Sequence, residues 1–172
     1  MDRLVRKNLF SKVIARDAKE ASPTNASLHA HGKGCILAVD DSRTQLYALK
    51  KVLTEAGYEV LTAANAENGI KLATRMLPDL ILMDIVMPGI NGFEATRVLS
   101  ASDETAHIPV IIISGSDQAS DRVWGKRAGA SDFMAKPIGR QQLLEKVAYF
   151  RRKQVLDSLD QDSALNHELF TG

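Results

Sequence analysis

The stretch Leu80-Ile81-Leu82-Met83-Asp84 limits the fold of this chain more than any other. Four apolar residues run into one carboxylate, and Ile85-Val86-Met87-Pro88-Gly89 follows with a Pro-Gly turn. A continuous apolar run this short, bounded by turn residues, fits a strand buried on both faces, the habit of parallel sheets. Asp84 then stands where the strand leaves the core. Three further runs have the same form. Cys35-Ile36-Leu37-Ala38-Val39 ends in Asp40-Asp41, Ile108-Pro109-Val110-Ile111-Ile112-Ile113 ends in Ser114, and Phe133-Met134-Ala135 ends in Lys136-Pro137. Each strand delivers a polar residue to its carboxyl end, the edge where open parallel sheets place their ligand sites.

Helical signals fill the intervals. Ser42 with Gln45 three residues on is a capping-box signature, Leu46, Leu49, Val52 and Leu53 give an apolar face, and Gly57 ends the helix. Tyr58 to Thr62 reads as a short strand. Asn65 to Leu77 reads as a second helix, with Ile70, Leu72, Ala73 and Met76 apolar, stopped before Pro78. Asn91 is placed to cap a third helix with Glu94 behind it, and Phe93, Val98 and Leu99 face inward. Ser116 or Asp117 is placed to cap a fourth that ends near Gly129. Gly139 to about Arg152 gives a fifth, with Leu143, Leu144 and Val147 inward. Five strands alternating with five helices imply βαβ units and a doubly wound α/β parallel sheet with helices on both faces. The first and third strands become neighbours where the winding reverses, so Asp40, Asp41 and Asp84 meet there.

Composition narrows the class. The 172 residues, 45% hydrophobic and 25% charged, are those of an ordinary globular domain with tails. A net charge of +1 gives no reason to expect nucleic acid or anionic membrane as a partner. No apolar stretch approaches a membrane span, so stable membrane insertion is not expected. The single cysteine, Cys35, forms no internal disulfide and suits a reducing, cytoplasmic setting. Residues 1–33 form a basic extension and linker, with Leu4, Val5, Leu9, Phe10, Val13 and Ile14 at helical spacing and a Ser/Pro/Asn/Gly/His-rich stretch after them. His29 and His31 near Cys35 read as linker beside a buried thiol rather than a metal site. Residues 153–172, with Lys153 against Asp157, Asp160, Asp162 and Glu168, form an acidic tail able to prolong the last helix through Val155, Leu156 and Leu159.

Three carboxylates do not share a pocket unaided. At an effective dielectric of 20 and a separation of 4 Å, each like-charged pair costs about 4 kcal/mol. Such a site takes up protons or a cation, and oxygen-only ligands with room for water favour Mg²⁺ over zinc. Lys136 adds a fixed positive charge and Ser114 a hydroxyl donor. A metal, a lysine and a hydroxyl around one carboxylate would stabilise a phosphoryl group in transfer. Asp84 is then the natural nucleophile, forming an acyl phosphate.

The ordered set Asp40-Asp41, Asp84-Ile85-Val86-Met87-Pro88-Gly89, Ser114 and Lys136-Pro137 resembles the receiver domain of two-component response regulators, over about residues 34–152. The resemblance implies a flavodoxin-like sheet of order 2-1-3-4-5. It implies Mg²⁺ held by Asp41, Asp84 and the backbone carbonyl of Val86, with Asp40 acting through water. It implies phosphotransfer to Asp84 from a sensor histidine kinase or phosphotransfer domain, with Lys136 pairing with the phosphoryl group and Ser114 moving to hydrogen-bond it. Phe133 falls at the aromatic switch position, and the Lys136-Pro137 bond is expected to be cis. Asp84 to Phe93, and Val123-Trp124-Gly125-Lys126-Arg127-Ala128-Gly129-Ala130, resemble the single-domain receivers of pilus-type chemotaxis systems that govern twitching motility. The downstream partner is then a motility or signalling protein, with Trp124, Lys126 and Arg127 as candidate contacts. Such a protein is a phosphoacceptor that catalyses only its own phosphorylation and dephosphorylation. A phosphate sink or an unphosphorylated scaffolding adaptor is the alternative role. Val86 and Ser116 flank the expected path of the attacking water. An apolar Val86 does not orient water and a small Ser116 leaves the path open, so an intermediate phosphoryl lifetime is expected.

Three rivals lack a part. A haloacid-dehalogenase-type enzyme carries a second Asp two residues after its nucleophile, where this chain has Val86. Gly32-Lys33-Gly34 lacks the hydroxyl residue and earlier glycine of a P-loop. Asp40-Asp41 would repel the phosphate of a flavin cofactor.

Overall fold

The computed structural model describes residues 33–115 and 119–169, with side chains as far as residue 157. The expected basic helix at 1–20, His29 and His31, and the caps Ser116 and Asp117 lie outside the described residues. The chain divides into two compact units, one ending at Ile138 and one starting at Gly139.

In the first unit, strands β1 (Cys35–Val39), β2 (Glu59–Ala63), β3 (Leu80–Asp84), β4 (Val110–Ser114) and β5 (Asp132–Ala135) alternate with helices α1 (Arg43–Glu55), α2 (Ala66–Met76), α3 (Gly92–Ala101) and α4 (Ala119–Ala128). All strand pairs are parallel, and the sheet order is β2-β1-β3-β4-β5. β1, β3 and β4 are buried along their whole length, which explains why their sequences lack the alternation of a half-exposed strand. Leu37 and Val39 of β1 and Ile81 and Met83 of β3 form one core with Ile70 and Ala73 of α2 and Ala95 and Leu99 of α3. The alternate residues Ile36, Ala38 and Leu82 point to the other face and are equally buried. Each fully buried Ile or Leu contributes about 1.5–3 kcal/mol, so this central layer dominates the stability of the sheet.

Local signals set the element ends. Ser42 Oγ accepts the Gln45 N–H at 3.3 Å, and Asn91 with Glu94 forms a reciprocal capping box. Gly57 takes a positive φ of 92° just past α1. α2 stops at Leu77, which adopts the left-handed conformation, φ 45°, because the following Pro78 disfavours continuation of the helix. β2 starts one residue later than its apolar pattern suggests. The Tyr58 N–H closes the turn onto the Leu53 carbonyl, and the ladder begins at Glu59. Cys35 is completely buried at the start of β1, and its N–H donates to Asp79 Oδ2 at 2.7 Å.

α2 approaches β1 closely at Gly69. A Cβ there would lie 2.8 Å from a Val39 methyl. Gly69→Ala is therefore expected to destabilise the fold by about 1–3 kcal/mol despite alanine's better helix propensity, read as a lower urea midpoint at constant m-value.

The second unit is one helix, α5 (Arg140–Leu169), 30 residues long. It carries the helical spacing expected up to Arg152 onward through the acidic tail. Leu143, Val147 and Phe150 are buried along one stripe, whereas Tyr149, Val155 and Leu156 are exposed.

Candidate functional site at the carboxyl ends of the strands

Parallel pairing aligns five polar residues on one edge. Asp40 and Asp41 follow β1 directly, Asp84 closes β3, Ser114 closes β4 and Lys136 follows β5. One carboxylate oxygen from each of Asp40, Asp41 and Asp84 lies within 4.8 Å of the others, with Asp40 and Asp84 buried and Asp41 exposed. The expected convergence at the β1/β3 reversal is thus present.

Lys136 threads between two of the three carboxylates. Its Nζ lies 2.8 Å from Asp84 Oδ1 and 3.0 Å from Asp40 Oδ2. Asp40 Oδ1 accepts the Ser42 N–H at 2.8 Å, so both Asp40 oxygens are engaged by the protein. Burial raises the Asp84 pKa above its ordinary value, and the charges of Asp40 and Asp41 add to the rise. The hydrogen bond and charge of Lys136 oppose it without cancelling it. Burial acts to lower the Lys136 pKa, but its hydrogen bonds to Asp84 and Asp40 outweigh that and hold it above the ordinary value. The site has more anionic character than one lysine neutralises. An all-oxygen donor set with that surplus fits a hard divalent cation.

Around this centre, Val86 is 75% exposed, so its apolar side chain stands in solvent beside Asp84. The Lys136-Pro137 peptide bond is cis, as expected, and the Lys136 N–H donates to the Ser114 carbonyl at 2.7 Å. Ser114 Oγ donates to Asp121 Oδ2 at 3.0 Å, a partner that no spacing or motif in the chain announces. Phe133 packs with Ile85 and Ile112, and its ring is already inside the fold, with the Arg122 guanidinium 4.8 Å from the ring centre. An inward rotation of this ring on phosphorylation therefore has no outward starting position in this structure. Trp124 is half-exposed with Arg127 stacked over it at 5.5 Å, and Lys126 is exposed. Ser116, the second residue expected to flank the water path, lies outside the described residues.

Gly92 is a site residue that pattern reading passes over. It is the first residue of α3, and its N–H donates to the Ile85 carbonyl at 2.9 Å. A Cβ at Gly92 would overlap the carbonyl oxygen of Asp84 itself. The only sequence signal is a glycine directly after the Asn91 cap, at a position where a helix has no need of one.

Residues 36–148 match the model of the response regulator receiver domain. The chain is 51% identical over 112 residues to protein PilH of Pseudomonas aeruginosa, covering 65% of this chain and 93% of that protein. It is 42% identical over 130 residues to the response regulator PleD of Caulobacter vibrioides, covering 75% of this chain and 29% of PleD. Among solved structures, a response regulator from Chloroflexus aurantiacus superimposes with a TM-score of 0.67 at 32% identity, covering 69% of this chain and 98% of that one. The chemotaxis protein CheY4 of Vibrio cholerae superimposes with a TM-score of 0.65 at 28% identity, covering 67% and 97%.

Proposed function

Because the chain belongs to the response regulator receiver domain family, we propose that Asp84 is its phosphoacceptor and that the reaction needs Mg²⁺. The observation that carries this reading is Lys136 paired with Asp84 beside a cluster of three carboxylates. An Asp84 carboxylate oxygen attacks phosphorus, and a P–O bond forms. The bond from phosphorus to the leaving group breaks with its electron pair, and an acyl phosphate remains on Asp84. Lys136, already within 2.8 Å of Asp84, is placed to balance charge on the transferred group. Asp41, Asp84 and the Val86 carbonyl would hold Mg²⁺, with Asp40 acting through water, which accords with both Asp40 oxygens being occupied by Lys136 and Ser42. When bound, the cation supplies positive charge to the phosphoryl oxygens.

The donor is a histidine kinase or a phosphotransfer domain, and the 51% identity to PilH supports a place in pilus or twitching motility. Trp124, Lys126 and Arg127 are the candidate output contacts, on a receiver of residues 34–152 flanked by a basic extension and an acidic tail. The protein acts in the cytoplasm, in keeping with its buried unbridged thiol; no helix among the described residues is long and apolar enough to cross a membrane. A phosphate sink in the same pathway needs the same chemistry at Asp84 and differs only in lacking an output partner.

Incubation with acetyl phosphate and Mg²⁺, read by intact mass, tests the reading. One added phosphoryl group that chelator abolishes is the expected result; no uptake overturns it. Val86→Asn places an amide where the exposed valine stands, gives the hydrolytic water a hydrogen-bonding group, and is expected to hasten loss of the phosphoryl group a few-fold. An unchanged decay rate refutes the water-path role of residue 86.

A further inference from the structure

Resting on the phosphoacceptor reading, we propose that Asp121 is a positioning residue that withholds the Ser114 hydroxyl from the phosphoryl group. A serine hydroxyl has one proton to donate, and an ionised carboxylate only accepts. The 3.0 Å bond from Ser114 Oγ to Asp121 Oδ2 therefore commits that proton to α4. A phosphoryl group on Asp84 is also acceptor-only, so the two anions compete for one proton. Phosphorylation makes its hydrogen bond to Ser114 only by breaking the bond to Asp121.

Asp121 does not act alone on this turn. The next residue, Arg122, lays its guanidinium over Phe133, 4.8 Å from the ring centre. Consecutive residues of the first turn of α4 thus grip both switch positions, the hydroxyl at the end of β4 and the aromatic ring in β5. Loss of the Ser114 bond frees Asp121, and like charge repels it from the phosphorylated centre. The displacement passes through the same turn to Arg122 and Phe133. Trp124, two residues further along, lies on the helix that is released.

The experiment uses the full chain and four variants, Asp121→Ala, Asp121→Asn, Ser114→Ala and the double variant Asp121→Ala with Ser114→Ala, with two readouts. In the unphosphorylated protein, the NMR Hα–Hβ couplings of Ser114 are expected to report one fixed rotamer in wild type, a shifted rotamer population in Asp121→Ala and a smaller shift in Asp121→Asn, which keeps an acceptor oxygen. Phosphoryl uptake from acetyl phosphate with Mg²⁺, followed by intact mass, is expected to be roughly ten- to hundredfold faster in Asp121→Ala, the factor set by one charge-assisted hydrogen bond. That gain is expected to vanish when Asp121→Ala is combined with Ser114→Ala. Unaltered couplings in Asp121→Ala overturn the proposal. So does an acceleration that survives in the Ser114→Ala background, because it then reflects only the removed charge. Uptake by none of the proteins, wild type included, sinks the phosphoacceptor reading and the role of Asp121 with it, whatever the couplings show.

Discussion

Asp84→Asn protein is expected to take up no phosphoryl group and, with divalent ions chelated, to unfold at a higher temperature than wild type. The first effect follows from the chemistry, since an amide offers no carboxylate oxygen to attack phosphorus. The second follows from the electrostatics. Asp84 is 4% exposed, and burial together with Asp40 and Asp41 raises its pKa in spite of Lys136. A raised pKa means that the folded environment as a whole disfavours the charge, and asparagine approximates the neutral acid. Each kcal/mol relieved is worth about 2–4 °C in a chain of this size. The sign of the pH dependence is fixed by the same shift. The folded pKa lies above the unfolded value of about 3.9. The neutral form's stabilisation is complete below the unfolded value and is lost as pH rises through the folded one. Metal-free wild type should therefore lose stability over the interval above pH ~4, and Asp84→Asn should lack that component. Melting curves in chelator across this range check it. A variant less stable than wild type throughout would show that the Lys136 ion pair outweighs the cost of burying the charge.

Gly92→Ala is expected to be the most damaging single methyl addition among the described residues near the site. The added carbon would collide with the Asp84 carbonyl oxygen and would sit 2.9 Å from Ile85 Cα. These are backbone atoms of the strand end, so no side chain can swing aside. Overpacking of a core commonly costs about 1–3 kcal/mol; a collision with fixed backbone belongs at or beyond the top of that range. Relief requires α3 to withdraw from β3, which breaks the hydrogen bond from Gly92 N–H to Ile85 and shifts Asp84. Gly92→Ala should accordingly lose both stability, by urea titration, and phosphoryl uptake. Gly115→Ala, where no atom of the described residues beyond its chain neighbours lies within 4 Å of the added carbon, is the control for a harmless addition near the same edge.

The parallel sheet and the carboxylate cluster were legible in the sequence because they depend on short-range signals. Apolar runs of strand length, each ending in a polar residue, encode a strand and its exit together, and the caps Ser42, Asn65 and Asn91 mark helix starts by bonds three residues long. Contacts made only across the fold were not legible. The bond of Ser114 to Asp121 spans seven residues and a change of element, and no periodicity reports it. Gly92 matters because of where a carbonyl from another element falls, which pattern reading does not contain. The buried setting of Phe133 depends on Ile112 from β4 and on Ile85, the residue just past the end of β3. The start of β2 slipped by one residue because Tyr58 has the character of a strand residue but spends its N–H on the turn.

Cys35 gives this molecule a built-in gauge of its own integrity. It is the sole thiol in the chain, has no exposed surface, and starts a strand held between β2 and β3. An alkylating reagent reaches it only when the middle of the sheet comes apart, not when a loop or helix end frays. The labelling rate of unmodified protein therefore tracks global opening, with no engineered probe, and its slowing on adding Mg²⁺ would give the cation's contribution to folding directly.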